Sequence, residues 1–145
     1  MNNNFCSKSE AIGRAVQRTG DAPVYTSSSR ALACLETVVH IGGSAPPLPL
    51  NRYLVQIDVP MALWKKAQAL HPSQLAGWDA LPASKTSVDW GNAWARSKAQ
   101  LLALLPSGIV PEEMNVLINP LHTDHHRLSA RKIRRWHYDP RALGH

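Results

Sequence analysis

The pattern of apolar and polar positions predicts a helix directly after a short serine run. Positions at i, i+3, i+4 and i+7 fall on one helical face, and here they are Leu32, Leu35, Glu36 and Val39. The preceding Ser27–Ser29 can cap this helix, because a serine hydroxyl accepts a hydrogen bond from a first-turn N–H. An isolated buried charge is costly, so Glu36 is expected to pair or to accept hydrogen bonds. On periodicity alone, Glu36 is an edge residue of the apolar face that pairs with a core arginine or a backbone N–H. A carboxylate within the apolar face would carry a desolvation cost, which its removal would relieve.

The remaining pattern predicts short strands and short helices without a repeating βαβ rhythm, which is typical of an α+β fold. Alternating polarity is clearest over residues 52–59. Further strands are predicted at 24–25, 101–105, 115–118 and 131–138, and helices at 61–70 and 89–100. A long polar connection is expected over residues 71–88, and residues 1–12 show no period and are expected to fray.

Composition places the chain among globular proteins with an anionic partner. Its 145 residues are 44% hydrophobic and 18% charged, and they suit one domain. Lysine and arginine outnumber the acidic residues by 16 to 10, which favours a phosphate-bearing ligand, a nucleic acid or an acidic protein. Cys6 and Cys34 form neither a metal-type spacing nor a disulfide framework. No signal peptide is evident, and no apolar run reaches the ~18 residues of a membrane span, so we expect a cytoplasmic protein.

The segment His122-Thr-Asp-His-His126 contains the ligand types of a transition-metal site. Neighbouring histidines on a regular element rarely bind one ion, and this segment follows an Asn-Pro pair. A solvated turn is therefore the favoured interpretation, and no metal is expected.

The C-terminal segment 127–141 is basic and aromatic, and two interpretations of it stay open. Its cations lie beside Trp136 and Tyr138, and they are Arg127, Arg131, Lys132, Arg134, Arg135 and Arg141. Basic residues interleaved with aromatic rings can bind phosphates and stack on bases. The same charges on an edge strand would solvate one face and discourage aggregation.

Three ordered segments resemble the RES-domain family, which is named for its Arg, Glu and Ser. The first is Pro23-Val-Tyr-Thr-Ser-Ser-Ser-Arg-Ala-Leu-Ala-Cys-Leu-Glu-Thr-Val-Val-His40. The others are 101–122, with Leu-Pro-Ser-Gly and Leu-Ile-Asn-Pro, and 138–143. The resemblance implies an ADP-ribosyltransferase-like fold, a mixed sheet with short flanking helices, that acts on NAD. It also implies a bacterial toxin that depletes NAD and whose active site is covered by a cognate Xre-type antitoxin.

The resemblance assigns the family's functional residues to positions in this chain. The catalytic Glu and Ser correspond to Glu36 and Ser107, and an NAD-binding Tyr corresponds to Tyr25. The NAD-binding Arg is placed at Arg14, although the family's Trp and Asn are missing after it, and Arg18 is the rival. These types suit cleavage of the nicotinamide–ribose bond: a cation anchors the pyrophosphate, a ring holds nicotinamide, and a carboxylate stabilises an oxocarbenium-like sugar.

The resemblance also divides the chain into an atypical N-terminus, 1–12, and a single RES-type domain, 13–145. The family's first strand, with its arginine, has no counterpart in the pattern of residues 1–12. Water, phosphate and a protein side chain all stay open as acceptors of ADP-ribose. A catalytically inactive relative that binds only an antitoxin is the first alternative, and a basic nucleic-acid-binding module is the second. Within the main interpretation, nucleic acid is contacted only through the antitoxin, and a homo-oligomer stays open.

Overall fold

The computed structural model describes residues 8–12, 22–41, 51–71, 73 and 85–143. The helices are α1 (Arg30–Ile41), α2 (Met61–Trp64) and α3 (Lys85–Ser97). The strands are β1 (Lys8–Ile12), β2 (Val24–Ser27), β3 (Arg52–Asp58), β4 (Gln68–Ala69), β5 (Leu102–Pro106), β6 (Met114–Ile118) and β7 (Ser129–Trp136). Short strands and short helices are thus mixed along the chain, as the apolar pattern predicts.

The described strands form one mixed sheet in the order β4-β5-β6-β2-β1-β3-β7. The β4–β5 pair is parallel, and every other neighbouring pair is antiparallel. The predicted α+β fold with a mixed sheet is confirmed. This order places β2 and β6 side by side near the centre, although they are far apart along the chain.

The helices cover the two faces of the sheet in an uneven way. On β6, Val116 packs in one cluster with Leu63 of α2, whereas Leu117 packs with Trp94 of α3. Successive side chains of a strand point to opposite faces, so α2 and α3 lie on opposite faces. On β3, Ile57 joins the α2 cluster while Leu54 packs against α1. Helices α1 and α3 therefore share one face.

Strand β1 corrects the expectation that residues 1–12 lack a regular element. It pairs with β3 from Lys8, opposite Asp58, to Ile12, opposite Leu54, and it pairs with β2 on its other side. Five residues of mixed polarity carry no clear alternation, so the pattern gives no strand signal. Backbone pairing on both sides provides the stabilisation that local propensity does not.

The helix predicted for residues 61–70 is also corrected, because the helix ends at Trp64 after one turn. The chain turns and enters β4, and the Leu70 N–H donates to the Leu104 carbonyl at 2.9 Å.

Helix α3 begins at residue 85 inside the expected connection, and it ends three residues before the predicted Gln100. Lys98, with φ of 54°, leaves the helical conformation there. Apolar spacing alone does not separate a buried helix from a turn and strand.

Strand β7 lies at the edge of the sheet, as in one of the two interpretations of the basic segment. Its side chains are exposed from Ser129 to Arg135. Three of its cations contact neighbouring side chains: Arg131 donates to Gln56, Lys132 lies over the Tyr53 ring, and Arg134 lies over the Trp136 ring. In the described part of the chain, no helix has the length and apolar character to cross a membrane.

Candidate active site

The register of the central strands gathers polar side chains on one face of the sheet. Asn115 of β6 lies between Ser27 of β2 and Leu105 of β5, and Tyr25 pairs with Leu117. Residues two apart share a face, so Tyr25, Ser27 and Asn115 point toward the side of α1 and α3. Ser107 follows Leu105 by the same two-residue step, just beyond β5.

Helix α1 brings Glu36 over this polar row. Ser29 caps the helix, accepting from the Leu32 N–H at 3.1 Å, which confirms the predicted serine cap. The same hydroxyl donates to the Glu113 carboxylate at 2.6 Å, and the Ser28 N–H donates to the Met114 carbonyl at 2.9 Å. These bonds attach the helix N-terminus to the start of β6, and Glu36 lies two turns further on.

The Glu36 carboxylate accepts hydrogen bonds from two buried side chains. Its Oε1 accepts from Ser107 Oγ at 2.8 Å and from Asn115 Nδ2 at 2.6 Å. Both donor residues are only 1% exposed, while Glu36 itself is half-buried. Hydrogen bonds to an ionised group are strong, so this oxygen is held in a defined position.

The Ser107 hydroxyl is itself oriented by the loop that follows it. Its Oγ accepts from the backbone N–H groups of Ile109 at 3.0 Å and Val110 at 3.1 Å. The Ser107 N–H donates to the Glu113 carbonyl at 2.8 Å. Because both lone pairs of the hydroxyl are used, its proton is directed at Glu36.

Tyr25 combines an exposed ring with an enclosed hydroxyl. The residue is 53% exposed, yet its hydroxyl lies 3.5 Å from Asn115 Nδ2. Burial of the hydroxyl, and then the charge of Glu36, raise the pKa of Tyr25 to about 12, against the opposing effect of the Asn115 hydrogen bond. The phenol is therefore neutral at ordinary pH, and its ring presents a flat apolar surface beside the carboxylate.

A family comparison decides what kind of domain carries this arrangement. The RES domain family matches residues 8–140, from the first residue of β1 to the segment after β7. The chain belongs to the RES-domain family. The RES domain is ADP-ribosyltransferase-like, in agreement with the predicted fold.

Curated relatives support the same family. A Sphingobium protein named Prs ADP-ribosylating toxin is 54% identical over 125 residues, which cover 86% of this chain and 76% of the relative. Toxin Res of Yersinia enterocolitica is 33% identical over 134 residues, 91% of this chain and 85% of the relative. Toxin Res of Pseudomonas putida is 31% identical over 105 residues, 72% and 69% of the two chains.

Three of the site residues predicted for this RES domain come together in the structure. Tyr25, Glu36 and Ser107 meet around Asn115, whereas Arg14 and its rival Arg18 lie outside the described residues. Sequence reasoning missed Asn115 and the role of Ser27 as its partner. The available signal was one polar residue within an otherwise apolar strand, and its meaning depends on a register that the sequence does not show.

The histidine segment of the RES domain forms a polar turn, as expected. Residues Thr123–Arg127 make a 3-10 turn capped by His122, whose Nδ1 accepts from the Asp124 N–H at 3.1 Å. The Nδ1 atom of His126 lies 2.7 Å from the Thr123 carbonyl. Among the described residues, no group of three or more His, Cys, Asp or Glu is arranged to hold a metal ion.

Proposed function

We propose that this RES-domain protein is a toxin that binds NAD, cleaves its nicotinamide–ribose bond and passes ADP-ribose to an acceptor. The observation that supports this most directly is the Glu36 carboxylate, held by two buried donors beside the exposed ring of Tyr25. In the reaction, the C1′–N bond breaks and nicotinamide leaves with the electron pair. The acceptor bonds to C1′ and loses its proton.

Glu36 is the group proposed to act on the reacting sugar. Positive charge develops on the ribose as nicotinamide departs, and a fixed carboxylate stabilises that charge without reorganising. Ser107 contributes by holding Oε1, and the Tyr25 ring packs against the flat nicotinamide. The neutral phenol suits this role, because a phenolate there would repel the Glu36 carboxylate.

Arg14 is the proposed contact of the NAD pyrophosphate, with Arg18 as the alternative. A guanidinium binds phosphate oxygens through charge-assisted hydrogen bonds. Arg14→Ala is then expected to weaken NAD binding about tenfold or more, since such a bond is worth ~1.5–3 kcal/mol. Arg18→Ala is the matched control, and a loss confined to that variant would move the assignment to Arg18.

We further propose that the acceptor is Prs, the protein named in the relative that is 54% identical. The toxin is expected to act in the cytoplasm and to be neutralised by an Xre-type antitoxin that covers the site. Contact with nucleic acid would then come only through that antitoxin. The formal charge of +6 suits an anionic substrate and an acidic protein partner.

The test is to incubate the purified protein with NAD labelled in its adenylate half, with and without Prs. Label on Prs, together with nicotinamide release, is the expected result, and both should disappear in Glu36→Gln. Free ADP-ribose formed equally without Prs would make the protein a hydrolase and overturn the acceptor. A product that requires inorganic phosphate would indicate phosphorolysis. If no nicotinamide is released and Prs is not labelled, the protein is an inactive relative.

A further inference from the structure

Asn115 makes three side-chain hydrogen bonds at the centre of the site. Its Oδ1 accepts from Ser27 Oγ at 2.8 Å, and its Nδ2 donates to Glu36 Oε1 at 2.6 Å and, at 3.5 Å, to the Tyr25 hydroxyl. Ser107 donates to the same Glu36 oxygen, so two donors converge on it. At 1% exposure, the amide has no access to bulk water.

We propose that Asn115 is a positioning residue for the reaction, and that Ser27 holds its amide in place. This inference rests on the proposed function and deepens it. An amide rotated by half a turn would aim its oxygen at the Glu36 carboxylate, which is repulsive. The Glu36 carboxylate therefore selects the orientation in which the N–H groups face it and Tyr25, and the Ser27 hydroxyl holds the amide there by donating to Oδ1.

A comparison with a second buried asparagine separates this role from ordinary core structure. Asn119, just after β6, is also buried, at 0% exposure. Its amide donates to the backbone carbonyls of Ala95 and Gln100, and it accepts from the Leu121 N–H. Those partners are all backbone, as expected of a residue that secures a turn. The Asn115 side chain, in the described contacts, bonds only to other side chains, and two of these belong to candidate site residues.

The decisive variant is Asn115→Asp, which keeps the size and the Ser27 acceptor but replaces the donor with an oxygen. We expect KM for NAD to stay within about twofold, because the buried side chain does not border the ligand. The kcat is expected to fall about ten- to hundredfold, as for loss of a hydrogen bond to a charged group. Asn119→Asp is the control, and its kcat per folded molecule should match that of the wild type.

Acidification provides a readout that a merely structural role would not change. Among the described residues, the titratable groups facing position 115 are Glu36 from α1 and Tyr25 from β2, while Glu113 is held by Ser29. Tyr25 stays neutral, so the proton is shared between the Glu36 carboxyl and the carboxyl that replaces the Asn115 amide. As the pH falls, this pair takes up one proton, which restores a donor between them. The kcat of Asn115→Asp relative to wild type should therefore rise toward pH 5, and that of Asn119→Asp should not.

The melting midpoint gives the same test without activity. The melting midpoint of Asn115→Asp should lie below that of wild type, and this difference should shrink as the pH is lowered from 8 to 5. A constant difference, or an unchanged kcat, overturns the proposal. Absence of NAD consumption by the wild type would instead refute the proposed function and leave this melting test valid. If Asn115→Asp does not fold, Ser27→Ala decides: a kcat reduced about three- to tenfold supports the proposal, and an unchanged kcat refutes it.

Discussion

Replacing Glu36 with alanine is expected to destabilise the protein, in contrast to the expectation from sequence. A carboxylate on an apolar helical face carries a desolvation cost, and its removal should relieve that cost. In the structure, however, Glu36 Oε1 is an acceptor for Ser107 Oγ and Asn115 Nδ2, which belong to residues that are 1% exposed. Alanine would leave two buried donors without this partner.

The expected size follows from the number of stranded donors. Each buried donor that loses its partner costs ~1–3 kcal/mol, and water entering the vacated space offsets part of this. We expect a net loss of about 2 kcal/mol in the free energy of unfolding, which lowers the melting midpoint by about 4–8 °C for a domain of this size. Urea denaturation and calorimetry measure both quantities.

Glu36→Gln is the matched control, because its amide oxygen can accept both hydrogen bonds. Its stability should stay within about 1 kcal/mol of wild type, while NAD consumption falls about a hundredfold or more in both variants. An alanine variant as stable as wild type would refute the reasoning. So would a glutamine variant that is as unstable as the alanine variant.

Three further predictions test the packing, the electrostatics and the basic strand. Leu32→Ala should cost about 2–5 kcal/mol in urea denaturation, because Leu32 is 1% exposed, whereas Leu35→Ala, at 38%, should stay within about 0.5 kcal/mol. Folding raises the pKa of Tyr25 to about 12, so the stability tied to its neutral phenol is complete below about pH 10 and is lost between about pH 10 and pH 12. Tyr25→Phe should flatten that part of the stability–pH curve, and an unchanged curve contradicts the raised pKa of Tyr25. Exchanging both Arg134 and Arg135 for alanine should leave NAD consumption unchanged; submicromolar, salt-sensitive DNA binding that this variant loses would favour the nucleic-acid alternative.

The elements that the sequence predicts well have local signals. The serine cap and helical face of α1, and the alternation of β3, depend on residues within a few positions of one another. Strands β1 and β4 carry no such signal, because they are strands only through pairing with β3, β2 and β5. A one-turn helix followed by a strand also resembles a longer helix when only apolar spacing is available.

The site divides in the same way. Family resemblance assigned Tyr25, Glu36 and Ser107, and the structure brings them together, while the catalytic and binding roles remain predictions. Asn115 was missed because its contacts span 90 positions to Tyr25 and 79 to Glu36. Such contacts follow from the order of β5, β6 and β2 in the sheet, which a single sequence does not reveal.

The central claim is that the Glu36 site cleaves NAD, and nicotinamide release tests it most directly. The purified protein is mixed with NAD in the presence of Prs and inorganic phosphate, so that no acceptor is limiting, and free nicotinamide is measured by chromatography. The account predicts multiple turnovers for the wild type, near-complete loss for Glu36→Gln, and full retention for Leu35→Ala. Wild-type protein that is folded and releases no nicotinamide, or a Glu36→Gln variant that releases it at the wild-type rate, would contradict the account.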